Sequence, residues 1–243
     1  MTGYSKPCRL AVFCSGFGSN FQAILDAIRK RRLEAVVALM VCDNPKAHAV
    51  KRARRRRIPL FVFNPRVFKT RRACEKIIVR ILKSEKVDWV ILAGFMRVLT
   101  PYFVRAYRGR ILNVHPALLP HFKGTHAIRD AFNAGVQETG VTVHTVTEEV
   151  DAGPVVLQER VKISKRDTLK SLEAKIHRVE HRIYPLAIQR VIMDLRKSNE
   201  KLTRGIKSPL PPLKRKGGKG FLLLKEKEPK TNPLFISKGA GGI

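Results

Sequence analysis

Apolar positions in the first half of the chain fall into short runs separated by stretches with helical spacing. Residues 9–14 (Arg-Leu-Ala-Val-Phe-Cys) end at a glycine-bearing turn, after which Phe21, Ile24, Leu25 and Ile28 recur on one helix face. The alternation continues with a strand over 35–42, a helix over 46–56, a short strand over 60–63, a long helix from about 67 to 85, and apolar runs at 88–92 and 110–114. Short strands that are apolar on both faces and alternate with helices predict an α/β fold, a doubly wound and mostly parallel sheet with helices on both faces. After 138 the pattern changes. Residues 139–148 alternate strongly, 154–163 form another strand, and the short link between them predicts antiparallel strands added at the carboxyl-terminal side. Leu169, Leu172, Ile176, Val179 and Ile183 then mark one long helix from Asp167 to about Arg196, with Pro185 expected to kink it.

The 243 residues, 44% of them hydrophobic, suffice for one large core. The expected organisation is a domain over 1–196 and a basic, flexible extension over 197–243, where prolines at 209, 211 and 212 and the run Lys-Arg-Lys-Gly-Gly-Lys-Gly at 214–220 leave no core pattern. No apolar run reaches the ~18 residues of a membrane span, and residues 1–10 lack a signal-peptide core, so the expected location is cytoplasmic. Cys8, Cys14, Cys42 and Cys74 show no metal-ligand spacing and read as reduced core thiols, with no metal expected. The charge stands out: 49 Lys plus Arg against 19 Asp plus Glu give +30. From 195 onward there are 13 basic and 3 acidic residues, so the folded part is basic in its own right. Such a field attracts polyanions without sequence preference. No interleaved aromatic pattern and no helix-turn-helix or RNA-motif signature accompanies it.

Candidate chemistry sits at the ends of strands. In Ile-Leu-Asn-Val-His-Pro at 111–116, strand alternation directs Asn113 and His115 to one side and Val114 to the other. An amide and an imidazole converging there can both donate to an oxygen that becomes negative; a strand-capping Asn beside a satisfied histidine is the structural alternative. Ser15-Gly-Phe-Gly-Ser-Asn20, between strand and helix, is a phosphomonoester cradle in type, or simply a turn. It lacks the P-loop Gly-Lys-Ser/Thr and the full dinucleotide spacing. Asp151, in Val-Asp-Ala-Gly-Pro at 150–154, either caps turn N–H groups or lies near His115, where a carboxylate favours the imidazolium and passes protons through water. Gly-Phe-Met-Arg-Val-Leu-Thr-Pro at 94–101 offers apolar side chains and free backbone groups to a flat heterocycle.

Taken in order, these motifs resemble one family, the folate-dependent phosphoribosylglycinamide formyltransferases of purine synthesis. The resemblance covers roughly 9–190, through Ser-Gly-x-Gly-Ser-Asn at 15–20, Ala-Gly-Phe-Met-Arg at 93–97, Asn-Val-His-Pro-Ala-Leu-Leu-Pro at 113–120, Gly-Val-Thr-Val-His at 140–144, Asp-Ala-Gly-Pro at 151–154 and Glu-His-Arg-Ile-Tyr-Pro at 180–185. It implies a catalytic trio of Asn113, His115 and Asp151, and a phosphate-binding turn of Gly18, Ser19 and Asn20. Glu180 would meet the glycinamide amine. Contacts to the co-substrate 10-formyltetrahydrofolate are implied for Arg71, for Met96, Arg97, Val98 and Leu99, for Asn113, and for Thr147, Glu148, Glu149, Val150 and Asp151. Segment 121–131 resembles the family's mobile loop and carries His126 without a chemical role. Phe17 departs from the family pattern, which usually has a small or polar residue there.

The implied reaction moves a formyl group from 10-formyltetrahydrofolate to the amine of 5'-phosphoribosylglycinamide, with the oxyanion held by Asn113 and His115. The implied partners are small-molecule substrates, with the chain a monomer or homodimer, any nucleic-acid contact non-specific and no membrane partner. A methionyl-tRNA formyltransferase shares the core but adds a folded basic domain, for which 198–243 show no periodic pattern. A formyltetrahydrofolate hydrolase is expected to carry an amino-terminal regulatory domain. A polyanion-binding protein on the same scaffold is the non-enzymatic alternative.

Overall fold

The computed structural model describes residues 6–205. In chain order the elements are β1 (Cys8–Cys14), α1 (Ser19–Arg29), β2 (Ala35–Cys42), α2 (His48–Arg55), β3 (Leu60–Val62), α3 (Arg71–Ser84), β4 (Trp89–Leu92), α4 (Pro101–Ala106), β5 (Ile111–His115), α5 (Ala127–Asn133), β6 (Glu138–Thr145), β7 (Val155–Lys162) and α6 (Leu169–Gly205). They build one sheet in the order β3-β2-β1-β4-β5-β6-β7. β1 to β5 are parallel, and β6 pairs antiparallel with both β5 and β7. This is the architecture that the apolar periodicity predicts.

Strand alternation builds a core on each face. Leu10, Val12 and Cys14 of β1 join Phe21 and Ile24 of α1 and Ile183 and Ile188 of α6. Ala11 and Phe13 go the other way, to Ile78 and Leu82 of α3 and Phe103 of α4. On β5, Leu112 and Val114 enter the first core and Ile111 the second. Asn113 and His115 share the face of Ile111 by the same alternation, carrying it to the end of the strand.

Four helices differ from the sequence reading. The helix expected from 67 is split. Asn64 accepts the Arg66 N–H to form a 3-10 turn over Pro65–Val67, and Thr70 then caps α3 through the Ala73 N–H. α4 and α5 do not appear in the sequence reading, because six and seven residues are too few to display a helical period. The start of α4 is fixed by tertiary contact, with the buried Glu75 carboxylate accepting the Thr100 N–H (2.9 Å) and hydroxyl. Finally, α6 continues beyond Arg196, so the expected domain boundary falls inside it and Pro185 remains within a single helix. Leu195 packs on the core and Arg196 pairs with Glu34. The rest of the proposed extension, 206–243, lies outside the described residues.

Tyr184 of α6 ties the sheet to its cover. Its ring is fully buried, and its hydroxyl lies 2.8 Å from the Leu92 carbonyl and 3.1 Å from that of Leu112. Both acceptors belong to the strands that lead into the polar cleft. Tyr184→Phe removes both bonds while the two carbonyls keep their β4–β5 ladder donors, and is expected to cost about 0.5–1.5 kcal/mol. Urea unfolding should show a lower midpoint with an unchanged slope.

Candidate active site

The crevice forms where the chain order reverses. From β1 the chain passes outward to β2 and β3, then returns to β4 on the other side, leaving a switch point at the carboxyl ends of β1 and β4. The two connections there are tied together. The Ser15 N–H donates to the Gly94 carbonyl (3.0 Å), and the Met96 N–H donates to Ser15 Oγ (2.9 Å). Gly18 precedes α1 with φ +72°, and a Cβ there would come within 2.8 Å of the Ala49 methyl. Both the conformation and the space require glycine.

The first N–H groups of α1 lack intrahelical partners. Gly18, Ser19 and Asn20 line a cavity shared with His126, Glu173 and His177. Glu180 is buried in its wall, accepting from the Asn20 amide (3.0 Å) and the His177 Nδ1–H (2.9 Å). That bond raises the His177 pKa above its ordinary value, and it outweighs the opposing effect of burial. Phe17 is 65% exposed and stacks on His48 of α2, with the ring centroids 4.7 Å apart. Arg52 donates to the Phe17 carbonyl (3.1 Å) and so fixes the turn from behind.

A second cleft of about 220 Å³ opens alongside. The two share Gly94, Met96, Val114, Pro116 and Thr125 as walls. On its floor, the β5–β6 register sets Asn113 opposite His144 and His115 opposite Thr142. Asp151 lies in the β6–β7 connection at φ +51°. Its Oδ2 is 3.4 Å from His115 Nδ1, its Oδ1 is 3.5 Å from His144 Nε2, and it accepts the Gly124 N–H at 3.0 Å. Burial pushes the Asp151 pKa up, but the His144 and Gly124 hydrogen bonds and the charge of both imidazoles outweigh it, so the net shift is downward.

Proton positions follow from carbonyls, which only accept. His115 Nε2 lies 2.8 Å from the Phe122 carbonyl and His144 Nδ1 lies 2.9 Å from that of Thr145, so both nitrogens carry hydrogen. An unprotonated His115 Nδ1 would turn its lone pair towards the Asp151 carboxylate. The geometry therefore suits a His115 imidazolium. Asn113 Nδ2 lies 3.3 Å from His144 Nε2 at the floor of the cleft.

The structure brings together most of the residues singled out in the sequence. Asn113, His115 and Asp151 converge, and Met96, Arg97, Val98, Leu99, Thr147, Glu148 and Val150 line the same cleft. Arg71 stands outside it, lining a small adjoining cavity and donating to the Val98 carbonyl (3.4 Å). Glu149 does not line the cleft; its side chain is exposed and pairs with Lys123 (3.2 Å). The sequence reading missed His144, His177 and the Phe122 carbonyl. The strict alternation of Gly-Val-Thr-Val-His already held His144, but its cross-strand partner depends on the register. All four cysteines are buried and unpaired; burial raises Cys8 to about 12 and Cys74 to about 11. Among the described residues, no helix is long and apolar enough to cross a membrane. No cluster of three or more His, Cys, Asp or Glu among them could hold a metal.

The chain matches a known class, the formyl transferases, whose family model covers residues 8–188. Phosphoribosylglycinamide formyltransferase of Bacillus subtilis (strain 168) is 41% identical over 184 residues, 76% of this chain and 94% of that protein. The crystal structure of glycinamide ribonucleotide transformylase 1 from Geobacillus kaustophilus superposes with a TM-score of 0.75 at 49% identity, covering 76% of this chain and 98% of that one. The trifunctional purine biosynthetic protein adenosine-3 of Homo sapiens is 40% identical over 186 residues, but the chain spans only 18% of its length. The chain belongs to the phosphoribosylglycinamide formyltransferase family.

Because the folded pKa of His177 is raised, its bond to Glu180 stabilises the fold fully below the unfolded value near 6.5, and that contribution is lost as pH rises through the folded value. An NMR titration should find the His177 imidazole above 6.5, falling towards the ordinary value in Glu180→Gln.

Proposed function

We propose that the chain transfers a formyl group from 10-formyltetrahydrofolate to the amine of 5'-phosphoribosylglycinamide. The single observation that carries this reading is the meeting of Asn113, His115 and Asp151 in a cleft that adjoins the glycine-turn cavity. Two joined cavities suit two substrates, one bearing a phosphate and one a flat heterocycle. The phosphate of the acceptor meets the N–H groups of Gly18, Ser19 and Asn20 at the positive end of α1. Its amine then lies towards Glu180, and the pterin packs against the 96–99 and 147–151 segments. The names of the relatives support the same acceptor.

The amine attacks the formyl carbon, forming a C–N bond and a tetrahedral oxyanion. Asn113 and the His115 imidazolium donate to that oxygen, each contributing about 3–4 kcal/mol when well placed. Collapse breaks the bond to the folate nitrogen, and the proton released by the amine passes through Asp151 and water to that nitrogen. The Phe122 carbonyl now occupies His115 Nε2, so the 121–131 segment has to release it before that N–H can meet the substrate. The same movement frees Asp151 from the Gly124 N–H. No covalent link to the enzyme is required.

His115→Ala and Asp151→Asn are expected to lower turnover by about 100-fold or more while cooperative unfolding persists. Near-parental formyl transfer in either folded variant would remove the trio from the chemistry. We also propose that 206–243 are dispensable for transfer. A chain ending at Gly205 should keep parental kcat and KM in the same assay.

A further inference from the structure

The catalytic cleft lies at the carboxyl ends of the parallel strands; their amino ends carry a different chemistry. Following the sheet order, β3 is entered through 54–57, four consecutive arginines, and β2 through 29–32, Arg-Lys-Arg-Arg. β1 begins after Lys6, β4 is entered past Lys83 and Lys86, and β5 past Arg108 and Arg110. All of these side chains are exposed. Each of the five parallel strands therefore starts beside exposed cations. At the usual strand spacing the row runs roughly 19 Å, the length over which one strand of a duplex presents about five phosphates.

Helix ends alone do not account for the row. A cation in a last turn gains from the helix dipole, which explains single residues and not runs of four. Arg31, Arg57 and Lys86 also occupy left-handed positions just past α1, α2 and α3, with φ near +50°, where glycine would be the unstrained choice. The acids at this edge are already engaged. Asp26 faces Arg29 (3.7 Å) and Arg56 (3.9 Å), linking the first two clusters, while Glu34 pairs with Arg196 and Glu85 with Arg9. Asp88 accepts the Arg9 N–H. Arg31, Arg32, Arg54, Arg55, Arg57 and Arg108 have no carboxylate partner among the described residues. The cleft edge, by contrast, mixes signs, with Asp43, Glu148, Asp151 and Glu180 among its acids.

We propose that this edge is a docking surface for a nucleic acid, held by its phosphate backbone and independent of formyl transfer. A linear arrangement suits a linear polyanion better than a compact anion. Guanidinium forks, which dominate the row, pair bidentately with phosphate. None of the exposed large apolar side chains lies in these connections, so the row lacks the hydrophobic anchor of a membrane-surface site. It also lacks the aromatic platforms that stack bases. The surface therefore binds without reading sequence.

The test uses the full chain and a fluorescent 20-nucleotide oligouridylate RNA. An edge variant (Arg32→Glu, Arg54→Glu, Arg55→Glu and Arg108→Glu) is compared with a control of equal charge change on the β7–α6 side (Lys162→Glu, Lys165→Glu, Arg166→Glu and Lys170→Glu). The edge variant should lose at least 30-fold in affinity at 100 mM salt, its log–log salt slope falling by about 3, since each lost single-strand phosphate contact removes roughly 0.7. The control should lose under threefold, with turnover unchanged in both. Equal weakening of the two variants, parental binding by the edge variant, or binding to phosphatidylserine vesicles without RNA binding would overturn the proposal. Should the glutamate set unfold, glutamine at the same eight positions makes the same comparison.

Discussion

One half-buried carboxylate organises the polar end of this sheet. Asp151 serves two imidazoles, one through each oxygen, and takes a backbone N–H from the loop across the cleft. Burying a carboxylate is costly unless such partners compensate, and here they outweigh the burial. The compensation imposes geometry. β6 has to lie beside β5 in the register that sets His144 opposite Asn113, and the β6–β7 connection has to turn tightly enough to hold Asp151 in a left-handed conformation. Gly153 serves that turn: a Cβ there would lie 1.7 Å from the Thr145 carbonyl oxygen.

The rest of the fold delivers partners to that carboxylate. Tyr184 fastens β4 and β5 to α6, and Glu75 fixes the start of α4 so that the 94–100 connection stays at the rim. Ser15 crosslinks the two connections of the switch point. Cleft and glycine-turn cavity are consequently neighbours through shared walls, a relation set by strand order and not by any single contact. The opposite edge of the same sheet carries an unbalanced positive row, so one scaffold separates its mixed-sign chemistry from its strongest field by roughly the length of β1, about 20 Å.

Much of this was legible in the residues. Period-two and period-3.6 patterns locate every strand among the described residues and the long helices, because burial on two faces leaves a repeated apolar signal. Asn113 and His115 were visible as polar residues at the end of an apolar strand. What escaped depends on contacts distant in sequence. α4 and α5 are too short to show a period, α3 starts late because Thr70 and not the apolar pattern sets its cap, and His144 acquires meaning only through its partner across β5. The approach of Asp151 to His115 and the Phe122 carbonyl on His115 Nε2 arise from loop closure, which leaves no periodic trace. Arg71 and Glu149, which the family resemblance implies, lie beside the residues that line the cleft.

In the proposed reaction the Asp151 cluster and the glycine turn together serve formyl transfer to a small phosphorylated amine. An assay of the purified chain with 10-formyltetrahydrofolate, comparing 5'-phosphoribosylglycinamide, charged initiator tRNA and water as acceptors, tests it most directly. Rapid formylation of the ribonucleotide is expected, with only background reaction with tRNA and water. Preferential formylation of the tRNA, or hydrolysis of the folate at a rate indifferent to the ribonucleotide, would contradict it.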